Sequence, residues 1–228
     1  MNLEKPKNFL RLFFQHKVPW WMQIVRPVVL SVGLLLGVDN LVLPNLPGRA
    51  LTTGEVAMLQ PVFKDAVDYK KVRIHHSKGG DAVRLLLRAV AITRGNTIIE
   101  SDDTPDYSAK TVPFFPRYQF THEMTHVWQN QNHVSDSFTR TAARTLAKLN
   151  PWDTQLPTYT YSFSKGSDLT DFPIEQQASI VPDYTYLVRN NVQSPLSADA
   201  FASGDARKAA YESVLKKFNA NPAYPRRK

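Results

Sequence analysis

The stretch HEMTHVWQNQN, residues 122–132, constrains this chain more than any other. It places two histidines four apart with a glutamate directly after the first, the HExxH arrangement. A helix turns about 100° per residue, so His122 and His126 lie on one face, about one turn apart. Both imidazoles can then aim at a single ion, with Glu123 beside them to hold a water against it. With six histidines and six glutamates in 228 residues, shuffling produces this pattern in about 0.4% of sequences. The competing reading is a solvated helix on which two histidines happen to align.

Two histidines do not make a stable zinc site, so a third protein ligand is needed, with the fourth place left for water. The chain has no cysteine, so that ligand must be His, Asp or Glu. One class of zinc protease supplies a further His six residues after the second. Here that position is Asn132, the intervening glycine is replaced by Gln129, and His133 misses by one. The other class supplies a Glu from a later helix. Beyond the motif the glutamates are Glu175 and Glu212. Glu175 opens the amphipathic segment EQQASIV, whereas Glu212 lies in AAYESVLKK, an ordinary solvated face. Asp183 remains open, but Glu175 is the expected third ligand, with Zn2+ as the metal.

Residues 1–48 differ from the rest. A basic, aromatic lead, KNFLRLFFQHKVPWW, precedes the apolar run VVLSVGLLLGV and a linker-like break at Pro44, Pro47 and Gly48. Three readings compete for this extension. A signal peptide lacks a small-x-small cleavage site. A span over residues 18–38 has the length, but Arg26-Pro27 falls near its middle. A buried or interfacial hydrophobic helix needs no exception. Residues 9–38 are a candidate membrane contact, and if residues 18–38 span the bilayer, the four lysines and arginines before Val18 predict a cytoplasmic N-terminus. That places the chain at the inner membrane with a periplasmic domain; a secreted effector or a cytoplasmic protein are the alternatives. The net charge of +8 leans toward an anionic setting. Without aromatic-basic interleaving or a Gly-rich phosphate loop, no nucleic-acid partner is expected.

Residues 49–228 read as one α+β domain. TTGEVAMLQPVF starts a helix with a Thr N-cap and an early Glu55, shortened or kinked by Pro61. KKVRIHH, residues 70–76, and AVAIT, residues 89–93, read as strands, the latter turning at Arg94-Gly95-Asn96 into NTIIES as a hairpin. The motif helix is expected from near Arg117, with Val127 and Trp128 packing it into the core. Residues 138–150 read as a further helix or an irregular stretch ending at Asn150-Pro151, and helices are expected from IEQQASIV onward and over a single last segment, residues 200–220.

The segments LTTGEVAMLQPVFKDAVDYKKVRI, AITRGNTIIE, FTHEMTHVWQNQ, YTYSF and IEQQASIVPDY, in that order, resemble Vgr-related, often Rhs-labelled, metallopeptidase-like proteins of Gram-negative bacteria. They are also similar to the metallopeptidase extension of some type VI secretion spike proteins. The resemblance runs from about Leu51 to Arg189. It implies a zincin-like fold with the HExxH helix beside a small sheet, zinc held by His122, His126 and Glu175, and Glu123 as catalytic base. One departure is Pro182 within IVPDY, which removes the helical hydrogen bond back to Ala178 and can kink or end that helix.

The expected chemistry is metal-assisted cleavage of a peptide bond, in a protein or a peptidoglycan stem peptide. Glu123 would take the proton of the attacking water and pass it to the leaving amine. Tyr161 or Tyr159, alternating in TYTYSF, would face the developing oxyanion, unless these tyrosines only pack the core. Asp183 would accept a hydrogen bond from the far nitrogen of a zinc histidine, or else face water near a helix end. NTIIE is either the sheet edge along which an extended peptide lies or a plain hairpin arm. His75 and His76 point to opposite faces of a strand and are structural, as is His16. Two rivals remain: a non-cleaving metal-binding module attached to a secretion apparatus, and a membrane-active toxin working through residues 9–38.

Overall fold

Thr52 starts the first helix, α1 (Thr53–Phe63), through a capping box. Its hydroxyl accepts from the Glu55 N–H at 3.0 Å, and the Glu55 carboxylate accepts from the Thr52 N–H at 2.8 Å. Glu55 is fully buried, and Arg49 grips both of its oxygens at 2.8 and 2.7 Å. A third donor, the Tyr107 N–H, lies at 3.0 Å. A buried carboxylate is tolerated only when paired and hydrogen-bonded in this way. Pro61 sits inside α1, which ends two residues later.

The computed structural model describes residues 48–76, 91–100, 103–134 and 159–225. The readings made for residues 1–47, His16 among them, and for a helix over 138–150 lie outside the described residues. Among the described residues, no helix is long and apolar enough to cross a membrane.

The architecture is α+β, with a three-stranded sheet made of β1 (Arg73–His76), β2 (Ala91–Arg94) and β3 (Thr97–Glu100). β1 begins later than expected because Tyr69–Lys71 forms a tight 3-10 turn. The hairpin between β2 and β3 forms as expected. Gly95 takes φ +59° while Asn96 does not go positive, the pattern of a type II′ turn with glycine at its first central position. Of the two readings of NTIIE, the sheet edge is corrected and the hairpin arm is what forms. β3 is central, parallel to β1 on one side and antiparallel to β2 on the other, so its backbone groups are engaged on both flanks.

The motif helix α2 (Phe114–Gln131) starts three residues before Arg117. Pro116 falls in its first turn, where a missing N–H costs nothing because no intrahelical acceptor exists there. α2 packs against β2 on one side and against α3 (Ile174–Pro182) on the other. Phe120, Met124, Val127 and Trp128 enter the core beside Leu59, Phe63, Ile74 and Ile98. Enclosed this way, α2 buries polar residues too: Gln119, Thr121, His122, Glu123, Thr125 and Gln129.

α3 does not stop at Pro182. The lost hydrogen bond is accommodated by widening: Asp183–Leu187 continues as a π turn, and Val188–Asn190 closes as 3-10. The last segment is two helices, α4 (Gly204–Val214) and α5 (Lys216–Ala220), separated at Leu215. Phe218 of α5 meets Trp128 edge-on at 5.0 Å and Phe63 at 6.1 Å, and the Trp128 indole donates to the Pro222 carbonyl at 2.8 Å.

Candidate metal centre

α2 presents His122 and His126 one turn apart toward α3, and Glu175 comes from the first turn of α3. The Nε2 atoms of the two imidazoles are 3.2 Å apart. Glu175 Oε2 lies 3.4 Å from His122 Nε2 and 3.3 Å from His126 Nε2. Tetrahedral coordination with bonds of ~2.0–2.1 Å separates neighbouring donors by about 3.3 Å. The three atoms therefore form a near-equilateral triangle of the size of one face of such a tetrahedron. Two imidazoles and a carboxylate, with no thiolate, suit zinc among common divalent ions. Among the described residues this is the one cluster of three groups able to hold a metal.

The triangle opens toward solvent on one side. The His122 side chain is 4% exposed, that of His126 14%, and that of Glu175 26%. In the absence of metal the three groups share charge. Burial works against a charged imidazole at His126, but the adjacent Glu175 carboxylate outweighs it and lifts His126 to about 9. Burial likewise disfavours the Glu175 anion. The His126 charge and the hydrogen bonds from both histidines overcome this and hold Glu175 well below the usual carboxylate range.

Glu123 is anchored at both oxygens. Gln119, one turn earlier on α2, donates to Oε1 at 2.7 Å, and Thr93 of β2 donates to Oε2 at 2.7 Å. Each oxygen keeps a second lone pair, so the carboxylate is oriented without being saturated. Gln119 was visible in the sequence at four-residue spacing from Glu123. Thr93 was not, because 30 residues separate it from its partner and only the packing of α2 on β2 joins them.

Two expectations are corrected. Tyr161 does not offer a free hydroxyl: it donates to the Asp183 carboxylate and touches the Tyr211 hydroxyl, with the residue 3% exposed. A hydroxyl engaged with a buried carboxylate is not available to an oxyanion. Tyr159 is the tyrosine near the histidines, its ring centroid 6.0 Å from that of His122. Asp183 is fully buried, but among the described residues no histidine donates to it. Its donors are Tyr118 at 2.8 Å, Ser194 at 2.6 Å and Tyr161. The far nitrogen of His122, Nδ1, is buried without a hydrogen-bond partner.

The positions excluded as ligands have structural roles. Asn132 donates to the carbonyls of Ala66 at 2.9 Å and Trp128 at 2.8 Å, closing the end of α2. His133 is exposed with φ +56°. His76 accepts from Arg49 Nε at 3.3 Å, and neither it nor His75 joins the triangle. Glu212 sits on α4, accepting from the Tyr184 hydroxyl at 2.9 Å.

No protein-family model matches the chain. In sequence it is 31% identical over 173 residues to VgrG2b, a type VI secretion system spike protein of Pseudomonas aeruginosa. That similarity covers 75% of this chain, which spans only 16% of the length of the spike protein. In three dimensions it is similar to the effector domain of Pseudomonas aeruginosa VgrG2b, with a TM-score of 0.58 and 26% identity. The superposition covers 83% of this chain and 98% of that domain.

Proposed function

We propose, for a Vgr-related chain homologous to the effector domain of a type VI secretion spike protein, that it is a secretion-associated zinc hydrolase of zincin-like fold that cleaves peptide bonds. The observation that carries this reading is the donor triangle of His122, His126 and Glu175, with sides of 3.2, 3.4 and 3.3 Å. Those three residues would hold the metal. Zinc bound there would supply Lewis acidity and a water acid enough to ionise near neutral pH.

The chain's own residues divide the remaining work. Glu123, held by Thr93 and Gln119, accepts a proton from the attacking water and returns it to the leaving amine. Tyr159, whose ring lies beside that of His122, takes the place of Tyr161 as the candidate to face charge developing on the scissile carbonyl oxygen. The substrate is a protein or a peptidoglycan stem peptide, reached in the compartment to which a secretion apparatus delivers the chain.

The test is metal analysis together with digestion of casein and of purified sacculi by wild type and Glu123→Gln, side by side. A positioned acid–base group contributes about 10²–10⁴-fold in rate. The variant should retain stoichiometric zinc and lose cleavage by at least the lower of those factors. Zinc binding with equal turnover in both proteins would remove Glu123 from the mechanism. Zinc binding with no cleavage by either would favour the non-cleaving module.

A further inference from the structure

We propose that Gln129 is the positioning residue that sets both halves of the metal centre at once, selecting the ring tautomer of His126 and docking the start of the Glu175 helix. This rests on the metal-binding reading above. Gln129 lies three residues after His126 on α2 and is 1% exposed. Its amide spans the gap between the two ligand-bearing helices. Oε1 is 2.8 Å from His126 Nδ1. Nε2 is 2.9 Å from the Ile174 carbonyl oxygen and 3.1 Å from Gln177 Oε1. Ile174 and Gln177 flank Glu175, one residue before it and two after.

The orientation of that amide follows from what its partners can do. A backbone carbonyl only accepts, so the Gln129 nitrogen must face Ile174. Gln177 agrees: its own nitrogen donates to the Phe172 carbonyl at 2.7 Å, which turns its oxygen toward Gln129. The Gln129 oxygen is then left for His126, and an amide oxygen only accepts. His126 Nδ1 must therefore carry a proton. In the neutral imidazole this leaves the lone pair on Nε2, the atom 3.3 Å from Glu175 and 3.2 Å from His122. The Ile174 carbonyl directly, and the Phe172 carbonyl through Gln177, thus dictate by way of Gln129 which nitrogen of a histidine on α2 can bind metal. His122 has no such partner at Nδ1, so the arrangement acts on His126 alone.

Glutamine suits both tasks because it has an acceptor and a donor on one planar group. Glutamate at this position keeps the acceptor for His126 but sets an anion against the Ile174 carbonyl. Methionine, of similar length, keeps neither hydrogen bond. Outer partners of metal ligands typically change metal affinity by about 10–100-fold. The experiment measures zinc affinity at pH 8 by chelator competition for wild type, Gln129→Met, Gln129→Glu and Gln177→Ala, with the melting temperature of each metal-free protein.

Gln129→Met should weaken zinc binding by about 10–100-fold, with Gln129→Glu intermediate and Gln177→Ala within about threefold of wild type. Partial rescue by glutamate separates a tautomer effect from loss of packing, since both substitutions disturb the contact with α3. Equal affinity in wild type and Gln129→Met overturns the inference, as does Gln177→Ala weakening zinc as much as Gln129→Met. Failure of wild type itself to bind zinc brings down the proposed function instead.

Discussion

At the scale of single residues, the site is governed by who holds each proton. His126, lifted to about 9 by Glu175, is protonated at neutral pH when no metal is present. A histidine must be neutral to bind metal, so metal uptake expels that proton. The sign follows: affinity should tighten with rising pH, by about tenfold per unit, and level off above pH ~9. Zinc titrations between pH 6 and 10 check this, and a flat profile would show that His126 is not charged in the metal-free site. At this scale the sequence was informative about His122, His126, Glu123 and Glu175, because two helical spacings and the shortage of later glutamates leave few choices. It was silent on Thr93. It misdirected the reading of Tyr161, whose hydroxyl belongs to Asp183. Alternating tyrosines announce only that two of them share a face, not what that face meets.

At the scale of elements, Asp183 ties together what the proposed metal ligands alone would not. It stands where α3 widens into the π turn. It gathers Tyr118 of α2, Ser194, and Tyr161, which in turn contacts Tyr211 of α4. Burial raises Asp183 to about 6, against the opposing pull of the Ser194, Tyr161 and Tyr118 hydroxyls and of the His122 charge. A carboxyl whose pKa is higher folded than unfolded binds its proton more tightly in the native state. Its contribution to stability therefore declines as pH rises from about 4 to about 6 and is constant beyond. Asparagine has no such titration. Metal-free Asp183→Asn should accordingly gain stability relative to wild type over that interval, read from urea unfolding at pH 4 and pH 7. An unchanged difference would mean that Asp183 is ionised throughout. Pro182 signalled a disturbance here, but whether the helix would end, kink or widen depended on the neighbours waiting to pair with Asp183.

At the scale of the whole molecule, the chain's C-terminal helices close the core behind the motif helix. Phe218 packs edge-on against both Trp128 and Phe63 and is 2% exposed. Phe218→Ala should cost about 3–5 kcal/mol of folding stability, measured by urea denaturation, while zinc affinity of the folded protein stays as in wild type. Loss of zinc affinity would mean that the rear face of α2 sets the front. The hairpin, the capped start of α1 and the helix through HEMTHVWQNQ were legible from residue order alone, because caps, turns and helical faces are decided within a few residues of chain. Strand order was not. NTIIE looked equally suited to an edge, and only its pairing with β1 and β2 on opposite flanks made it central. By itself, then, the order of residues determined which side chains could share a helix face, since helical periodicity is local, and it narrowed the late carboxylates to a few, Glu175 foremost. The tertiary structure alone decided how Glu175 approaches the imidazoles, what orients Glu123, and which nitrogen of His126 faces Gln129, since each depends on groups that meet only when α2, α3 and the sheet pack together.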